Sequence, residues 1–166
     1  ANYDLLTGLP NRGLLIDRMG HALETAAREG HKLAVLFVDL DLFKAINDAL
    51  GHDAGDQLLV AAAARMKDCM RGSDTVARHG GDEFVALLPH VADQHAATAV
   101  AHKLRIALCE SFDLAGHAIN ISCSIGVAMF PEHGADAAQL LKSADIEMYR
   151  AKASGRNAVA TPECAR

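Results

Sequence analysis

Apolar residues follow two different spacings along the chain, and stretches with each spacing alternate. Residues 11–29 carry apolar side chains at helical spacing, and Gly30 follows as a stop signal. Residues 33–38 are apolar throughout, which is typical of a central strand covered on both faces, and the run ends at Asp39 and Asp41. The pattern therefore predicts a helix and then a buried strand that is acidic at its carboxyl end.

The middle of the chain predicts a second helix and a hairpin. Apolar residues stay in helical register across residues 53–70, with Asp53 available as the helix cap. Two strand-like runs follow, residues 75–79 and 83–88, and the turn residues Gly80-Gly81-Asp82 separate them. We therefore expect a hairpin with an acidic tip.

The last third predicts helix, strand, helix and strand. Asp93 is placed to cap one helix, and Asp136 to cap another that continues through Met148. Between them, apolar positions alternate over residues 119–129 without a break, which predicts one period-two strand, and residues 157–160 predict a short final strand. A hairpin inside such an alternation favours an α+β fold, a mixed central sheet flanked by helices, over a doubly wound one.

Composition narrows the class of protein. The chain has 166 residues, which favours a single domain, and 51% of them are hydrophobic, which excludes a disordered chain. The formal net charge of −5 argues against a nucleic-acid partner, although a small phosphorylated ligand needs only a few well-placed cations.

The sequence shows no clear membrane span, secretory signal, disulfide framework or zinc-binding motif. The longest apolar run, residues 58–64, is too short to cross a membrane, and no secretory signal precedes it. Ala1 at the first position favours a piece of a longer protein. The four cysteines are scattered and are expected to be reduced thiols, and the histidine spacing predicts no zinc site.

Three polar clusters stand where the pattern predicts that strands end or helices begin. Asp39-Leu40-Asp41-Leu42-Phe43-Lys44 offers what a divalent cation with a phosphate requires, or else is a solvated strand end. Gly80-Gly81-Asp82-Glu83-Phe84 allows close backbone approach beside two carboxylates, or else is a plain turn. The residues from Asn47 to Asp56 could read a guanine edge, or else form a capped helix start.

Two cations near the end of the chain, Lys152 and Arg156, are four residues apart. They could clamp a triphosphate, or else interact with the carboxyl end of a helix dipole.

Six ordered motifs run from Asp4 to Asn157, nearly the whole chain. They are Asp4-Leu5-Leu6-Thr7-Gly8-Leu9-Pro10-Asn11-Arg12, Asp39-x-Asp41-x-Phe43-Lys44, Asn47-Asp48-x-x-Gly51-His52-x-x-Gly55-Asp56, Arg78-x-Gly80-Gly81-Asp82-Glu83-Phe84, Ser124-Ile125-Gly126-Val127-Ala128 and Lys152-x-x-Gly155-Arg156-Asn157. In this order they resemble the GGDEF domain family, the diguanylate cyclases, whose fold is similar to the nucleotidyl cyclase palm. His79 stands where the family more often carries Tyr.

The resemblance implies that two GTP molecules condense to cyclic di-GMP and release two pyrophosphates. It implies Mg²⁺ or Mn²⁺ as cofactor, with Asp82 similar to the general base for the ribose 3′-hydroxyl and Glu83 supporting the site. The implied metal ligands are Asp39, the Leu40 carbonyl, Asp82 and Glu83. The implied substrate-binding residues are Asn47, Asp56 and nearby His52 for guanine, and Lys44, Lys152, Arg156 and the backbone at Phe43, Gly80 and Gly81 for the phosphates.

A further motif, Arg71-Gly72-Ser73-Asp74, lies ahead of Gly80. Many members of the family carry an inhibitory RxxD site for their own product at this place, so the resemblance implies cyclic di-GMP as an inhibitor bound by Arg71 and Asp74. An Arg and an Asp three residues apart also commonly form a surface ion pair of little energetic value.

The sequence thus predicts an active diguanylate cyclase domain spanning residues 1–166, excised from a longer signalling protein with an N-terminal sensory domain. The alternative is a catalytically silent module that binds GTP or cyclic di-GMP. The intact signature motif, Gly80 to Phe84, favours the enzyme, and no second domain supports a phosphodiesterase. We expect a cytoplasmic domain that makes no membrane contact, in a full-length protein that could be anchored. Because each domain carries one set of substrate motifs, two must meet as a transient homodimer.

Overall fold

A computed structural model describes residues 1–162 as five helices and seven strands. The elements are α1 (Arg12–Glu29), β1 (Lys32–Leu40), α2 (Phe43–Leu50), α3 (His52–Asp68), β2 (Thr75–Gly80), β3 (Glu83–Val91), α4 (Gln94–Cys109), β4 (Phe112–Leu114), β5 (His117–Ile119), β6 (Cys123–Phe130), α5 (Ala137–Ala153) and β7 (Ala158–Ala160).

Five strands form one mixed sheet in the order β2-β3-β1-β6-β7. The central strand β1 is antiparallel to both β3 and β6, whereas β7 runs parallel to β6. Residues 33–38 of β1 are buried throughout, because α3 and α4 cover one face of the sheet and α1 and α5 the other. The predicted α+β fold with a mixed sheet flanked by helices is confirmed.

Successive side chains of β1 point to opposite faces of the sheet. Leu33, Val35 and Phe37 pack under α1 and α5, and the even-numbered residues pack under α3 and α4. The same parity places Asp39 on the α5 side. On that side α5 lies directly on β6, since a Cβ added to Gly126 would overlap the backbone of α5.

The helix caps at Asp93 and Asp136 are confirmed. Each side chain accepts a hydrogen bond from the backbone N–H three residues on, at 2.8 Å. The predicted cap at Asp53 is wrong, because α3 begins one residue earlier behind Gly51, and Asp53 lies in its first turn. Gly51 has a φ of 93°, which only glycine adopts without strain, so backbone geometry rather than a side-chain cap separates α2 from α3.

The prediction of one strand over residues 119–129 is also wrong. β5 ends at Ile119 and pairs with β4 in a separate two-stranded hairpin, and β6 begins at Cys123 in the main sheet. Alternation continues across the break because Ile119, Ile121 and Cys123 all face the same core. Within the part of the chain that the structure describes, no helix is both long and apolar enough to span a membrane.

Candidate active site

The carboxylates predicted from separate motifs meet at one end of the central strand. Asp39 lies inside β1, not after it as predicted, and pairs in register with Glu83 on β3 and Ser124 on β6. The turn before β3 brings Asp82 alongside, where the Leu40 N–H donates to the Asp82 carbonyl oxygen at 3.3 Å. Antiparallel pairing of β1 with β3 therefore brings together residues that are more than forty positions apart.

Asp39 is the most perturbed carboxylate at this end of the sheet. Its Oδ2 lies 2.8 Å from Lys152 Nζ on α5. Its Oδ1 is buried and has no hydrogen-bond partner among residues 1–162. Burial and the neighbouring Asp82 charge raise the pKa of Asp39 to about 7, although Lys152 opposes the shift.

Two further carboxylates, Glu83 and Asp145, lie near Asp39 and Asp82, and Asp145 was not predicted from the sequence. Burial, then the charges of Asp145 and Asp82, raise the pKa of Glu83. Burial also raises the pKa of Asp145, which lies on α5. Such crowding of carboxylates favours the binding of a cation.

The donor set fits a hard divalent cation. Every candidate ligand is an oxygen, and the bare Oδ1 of Asp39 is a buried acceptor that such an ion would satisfy. The described residues contain no cluster of three or more His, Cys, Asp or Glu side chains already arranged around a metal position. Mg²⁺ ordinarily takes only one or two protein carboxylates and completes its shell with water and substrate phosphates, so Asp39 and Asp82 with a main-chain carbonyl suffice.

The pKa of Asp39 gives a prediction about stability. Asp39→Asn is expected to raise the free energy of unfolding of the metal-free protein by about 1–2 kcal/mol near pH 8 and to leave it unchanged near pH 4. The pKa of Asp39 is about 7 in the folded protein and 3.8 in its ordinary state. Between these two pH values the folded protein binds more protons than the unfolded chain, so the free energy of unfolding of the wild type falls as pH rises. Urea unfolding of both proteins in EDTA across this range measures the difference, and a difference independent of pH would contradict the prediction.

The loop after β1 has the backbone expected of a phosphate cradle. Leu42 has a left-handed backbone with a φ of 59° and is 61% exposed, and α2 begins at Phe43 immediately after it. Lys44 is exposed in the first turn of α2. Free N–H groups at this helix start favour anions, and a strained residue other than glycine beside them is typical of a functional loop.

The predicted guanine residues lie at the junction of α2 and α3. Asn47 is on α2, and its side-chain oxygen is buried with no hydrogen-bond partner in the described chain. Gly55 on α3 lies directly against it, since a Cβ added there would overlap that oxygen. His52 and Asp56 are both exposed on α3. The junction therefore combines an unsatisfied amide with an exposed carboxylate.

Gly55 provides a test of this junction. Gly55→Ala is expected to leave the fold intact, because the overlapping atom is the end of a movable side chain, and to weaken GTP binding about tenfold by displacing Asn47. Calorimetric titration with GTP measures the affinity. Gly20→Ala is the matched control, since a Cβ on this α1 glycine meets nothing within 4 Å. Equal affinities in the two variants would remove Asn47 from the proposed guanine site.

Two residues that the sequence did not mark individually fix the signature turn. Arg78 donates through Nε and Nη2 to the Gly81 carbonyl oxygen, at 3.1 and 2.9 Å. Its Nη1 lies 3.2 Å from the Asp4 carboxylate. Gly81 has a φ of 45°, so the turn that carries Asp82 needs glycine there. Arg78 and Asp4 both stand inside quoted motifs, but their contact links residues far apart in sequence, and only the fold reveals it.

Arg71 and Asp74 lie together at a turn between two cavities. Asp74 Oδ2 accepts from the Arg71 backbone N–H at 2.9 Å, and within residues 1–162 the Arg71 guanidinium forms no ion pair. One cavity of about 470 Å³ and another of about 430 Å³ are both lined by Arg71 and Asp74. The alternative of a surface ion pair is therefore not realised, and the guanidinium is available to a ligand.

Lys152 and Arg156 differ in their surroundings. Lys152 lies in the last turn of α5 against Asp39, whereas Arg156 lies in the loop beyond the helix with a φ of 64°. Lys152 is thus in the helix, and Arg156 lies just past its end. Both are at the β1 end that carries the acidic residues.

Comparison with known proteins shows the family of this chain. The family described as "Diguanylate cyclase, GGDEF domain" matches residues 1–158. The chain is 46% identical over 157 residues to the bifunctional diguanylate cyclase/cyclic di-GMP phosphodiesterase MucR of Pseudomonas aeruginosa, covering 95% of this chain and 23% of MucR. It therefore belongs to the GGDEF domain family, and it spans about a quarter of the length of that relative.

Solved structures show the same fold. The crystal structure of the GGDEF domain of TpbB (YfiN) from Pseudomonas aeruginosa superposes with a TM-score of 0.93 at 42% identity, covering 96% of this chain and 99% of that one. The GGDEF domain of DgcB from Caulobacter crescentus, in complex with c-di-GMP, gives a TM-score of 0.90 at 27% identity, covering 97% and 95%. The predicted cyclase palm fold is confirmed by these neighbours.

Proposed function

We propose that this domain is an active diguanylate cyclase, which joins two GTP molecules into cyclic di-GMP and releases two pyrophosphates. The observation that carries the proposal is the buried Asp39, which has one oxygen without a partner and the other against Lys152, at the end of the sheet that bears Asp82. A carboxylate in this state is costly unless a cation binds it, and membership of the family supplies the substrate class.

The acidic residues would hold Mg²⁺ or Mn²⁺. Asp39, the Leu40 carbonyl and Asp82 are the proposed ligands, and Glu83 supports the site from the neighbouring strand. When bound, such an ion neutralises developing charge on the transferring phosphoryl group. Asp82 is at the tip of the turn, where it is proposed to accept the proton of the ribose 3′-hydroxyl, and the Arg78 contact to Gly81 holds that turn in place.

The cations and the loop backbone would hold the triphosphate. Lys44 projects from the first turn of α2, and Arg156 from the loop after α5. Lys152 already neutralises Asp39, so it lies where carboxylate and phosphate would both require positive charge. The backbone at Phe43, Gly80 and Gly81 allows phosphate oxygens to approach closely.

The junction of α2 and α3 would select guanine. Asn47 and Asp56 are proposed to pair with the base edge, with His52 close to the pocket. The buried amide oxygen of Asn47 has no partner of its own in the described residues, so a guanine donor would satisfy it. Adenine presents a donor where guanine presents an acceptor, and it would leave polar groups unpaired.

Product feedback is proposed at Arg71 and Asp74. Arg71→Ala is expected to keep its activity in initial-rate assays, because Arg71 lies apart from Asp39 and Asp82. It is expected to bind cyclic di-GMP at least about tenfold more weakly, because the guanidinium is available for a ligand. Calorimetry with cyclic di-GMP measures the affinity. Arg28→Ala, on another exposed part of the surface, controls for loss of one positive charge. Unchanged product affinity in Arg71→Ala would exclude this motif from regulation.

The second candidate is a silent module that binds GTP or cyclic di-GMP and regulates an attached domain. An active cyclase and a silent module would both bind nucleotide. Pyrophosphate release distinguishes them, measured with GTP and Mg²⁺ at high protein concentration and with ATP in a parallel reaction. The cyclase predicts release with GTP and little with ATP. GTP binding without pyrophosphate release would favour the silent module. The chain covers 23% of the length of MucR. We propose that a sensory domain precedes it in a full-length protein.

A further inference from the structure

Three consecutive residues just beyond α5 have left-handed backbone. The φ angle is 121° at Gly155, 64° at Arg156 and 46° at Asn157. Arginine is sterically disfavoured in this region, whereas asparagine tolerates it better, so the backbone at Arg156 in particular needs outside contacts to keep it. This segment, the Arg156 loop (residues 155–157), carries one of the cations assigned above to the triphosphate.

Asn157 is held from two sides. Its backbone N–H donates to Asp41 Oδ2 at 3.0 Å. Its side-chain oxygen accepts from Arg105 Nη1 at 3.0 Å and from Cys109 Sγ at 3.3 Å, both on α4. The position after Arg156 is therefore fixed by the end of β1 on one side and by α4 on the other.

Asp41 has a different environment from the proposed metal ligand Asp39. Its side chain is buried, the residue being 3% exposed, and Oδ1 accepts from Ser124 Oγ at 2.7 Å while Oδ2 accepts from Ser122 Oγ at 2.6 Å. Both Asp41 oxygens thus have protein donors, whereas Asp39 Oδ1 has none in the described chain. The Asp41 carboxylate is therefore occupied by hydrogen bonds within the protein, whereas the Asp39 carboxylate has an oxygen available to a cation.

Asp41 also begins the loop that follows β1. The next residue, Leu42, has left-handed backbone, and Phe43 and Lys44 follow as the proposed phosphate-binding start of α2. Asp41 is therefore linked to both segments that would approach the triphosphate. It is the first residue of the loop after β1, and its carboxylate accepts a hydrogen bond from the Arg156 loop.

We propose that Asp41 is a positioning residue that acts through Asn157 to set Arg156 against the loop after β1. It touches no substrate atom itself. Loss of its contact to Asn157 releases the disfavoured backbone of the Arg156 loop, and the guanidinium then no longer meets the phosphates. The inference rests on the proposed function, since it requires the triphosphate to lie between these two loops.

A double-mutant cycle tests the proposal by binding rather than by turnover. The probe is 3′-deoxy-GTP with Mg²⁺, which lacks the reacting hydroxyl, and calorimetry measures its dissociation constant. Asp41→Ala is expected to weaken binding about tenfold in the wild-type background and less than about twofold in an Arg156→Ala background, because residues that act as a unit are not additive. Asp41→Asn keeps a carbonyl oxygen for the Asn157 N–H and is expected to recover most of the lost affinity.

A second pair of variants keeps the test decisive if Asp41→Ala does not fold. Arg105→Met removes the shorter of the two hydrogen bonds that α4 donates to the Asn157 side chain. Lys103→Met removes a cation from the same helix that bonds instead to the Cys69 carbonyl oxygen. The proposal expects weaker binding in Arg105→Met and unchanged binding in Lys103→Met. Equal losses from Asp41→Ala in both Arg156 backgrounds, or unchanged binding in Arg105→Met, would overturn it. Absence of pyrophosphate release by the wild type would instead overturn the proposed function.

Discussion

Asp82→Ala is expected to leave a folded protein whose cyclic di-GMP synthesis falls at least about a hundredfold. Asp82 lies at the tip of the signature turn, next to the strand that bears Asp39, and its charge contributes to the raised pKa of Asp39. Removing it deletes a proposed ligand and the proposed proton acceptor together, and water cannot replace a carboxylate in the same geometry. Asp39→Ala is expected to lose synthesis to a similar extent.

The measurement is the initial rate of product formation, with circular dichroism to confirm folding. Asp17→Ala is the matched control, because it removes an exposed carboxylate from α1, outside the site. Near-normal turnover by a folded Asp82→Ala protein would show that the acidic end of the sheet does not perform the chemistry.

The second large effect concerns protein concentration. The initial rate per mole of enzyme is expected to rise about tenfold for each tenfold increase in protein concentration, until the domain associates. The site contains one guanine junction, one acidic turn and one Arg156 loop, yet the proposed reaction needs two GTP molecules that attack each other. A two-fold meeting of two domains supplies the second set without further residues.

A concentration series over roughly a hundredfold, read beside size-exclusion chromatography, measures this effect. Fusion to a dimerising coiled coil is the positive control, and it is expected to make the rate per mole high and independent of concentration. A flat series from a protein that elutes as a monomer would contradict a mechanism with two half-sites.

The helices and central strands could be predicted because their residues satisfy local rules. Residues 33–38 are apolar on both faces, and Asp93 and Asp136 precede helices in the geometry of a side-chain cap. The strand predicted over residues 119–129 failed because one hydrophobic core receives alternating side chains from two different sheets. Periodicity reports which face is buried and does not report where pairing partners change.

The residues of the candidate site could be predicted from the sequence motifs, but the distances between them along the chain do not show which of them meet. The separation of Asp39 from Asp82 contains no sign that they meet, since β1–β3 pairing decides it. The contacts of Arg78 with Asp4 and of Asn157 with Asp41 join residues 74 and 116 positions apart, and no local pattern encodes such distances. Asp145 was missed for the same reason, because it reaches the site only when α5 packs on β6.

The nucleotide product distinguishes an active cyclase from a silent module. The domain is incubated at high concentration with GTP and Mg²⁺, and the nucleotides are separated by chromatography and identified by mass. We expect a new peak with the mass of cyclic di-GMP, one molecule for every two GTP consumed, and no such peak with the Asp82→Ala protein. Unchanged GTP, with the same protein shown by calorimetry to bind GTP, would contradict this expectation and favour a silent nucleotide-binding module.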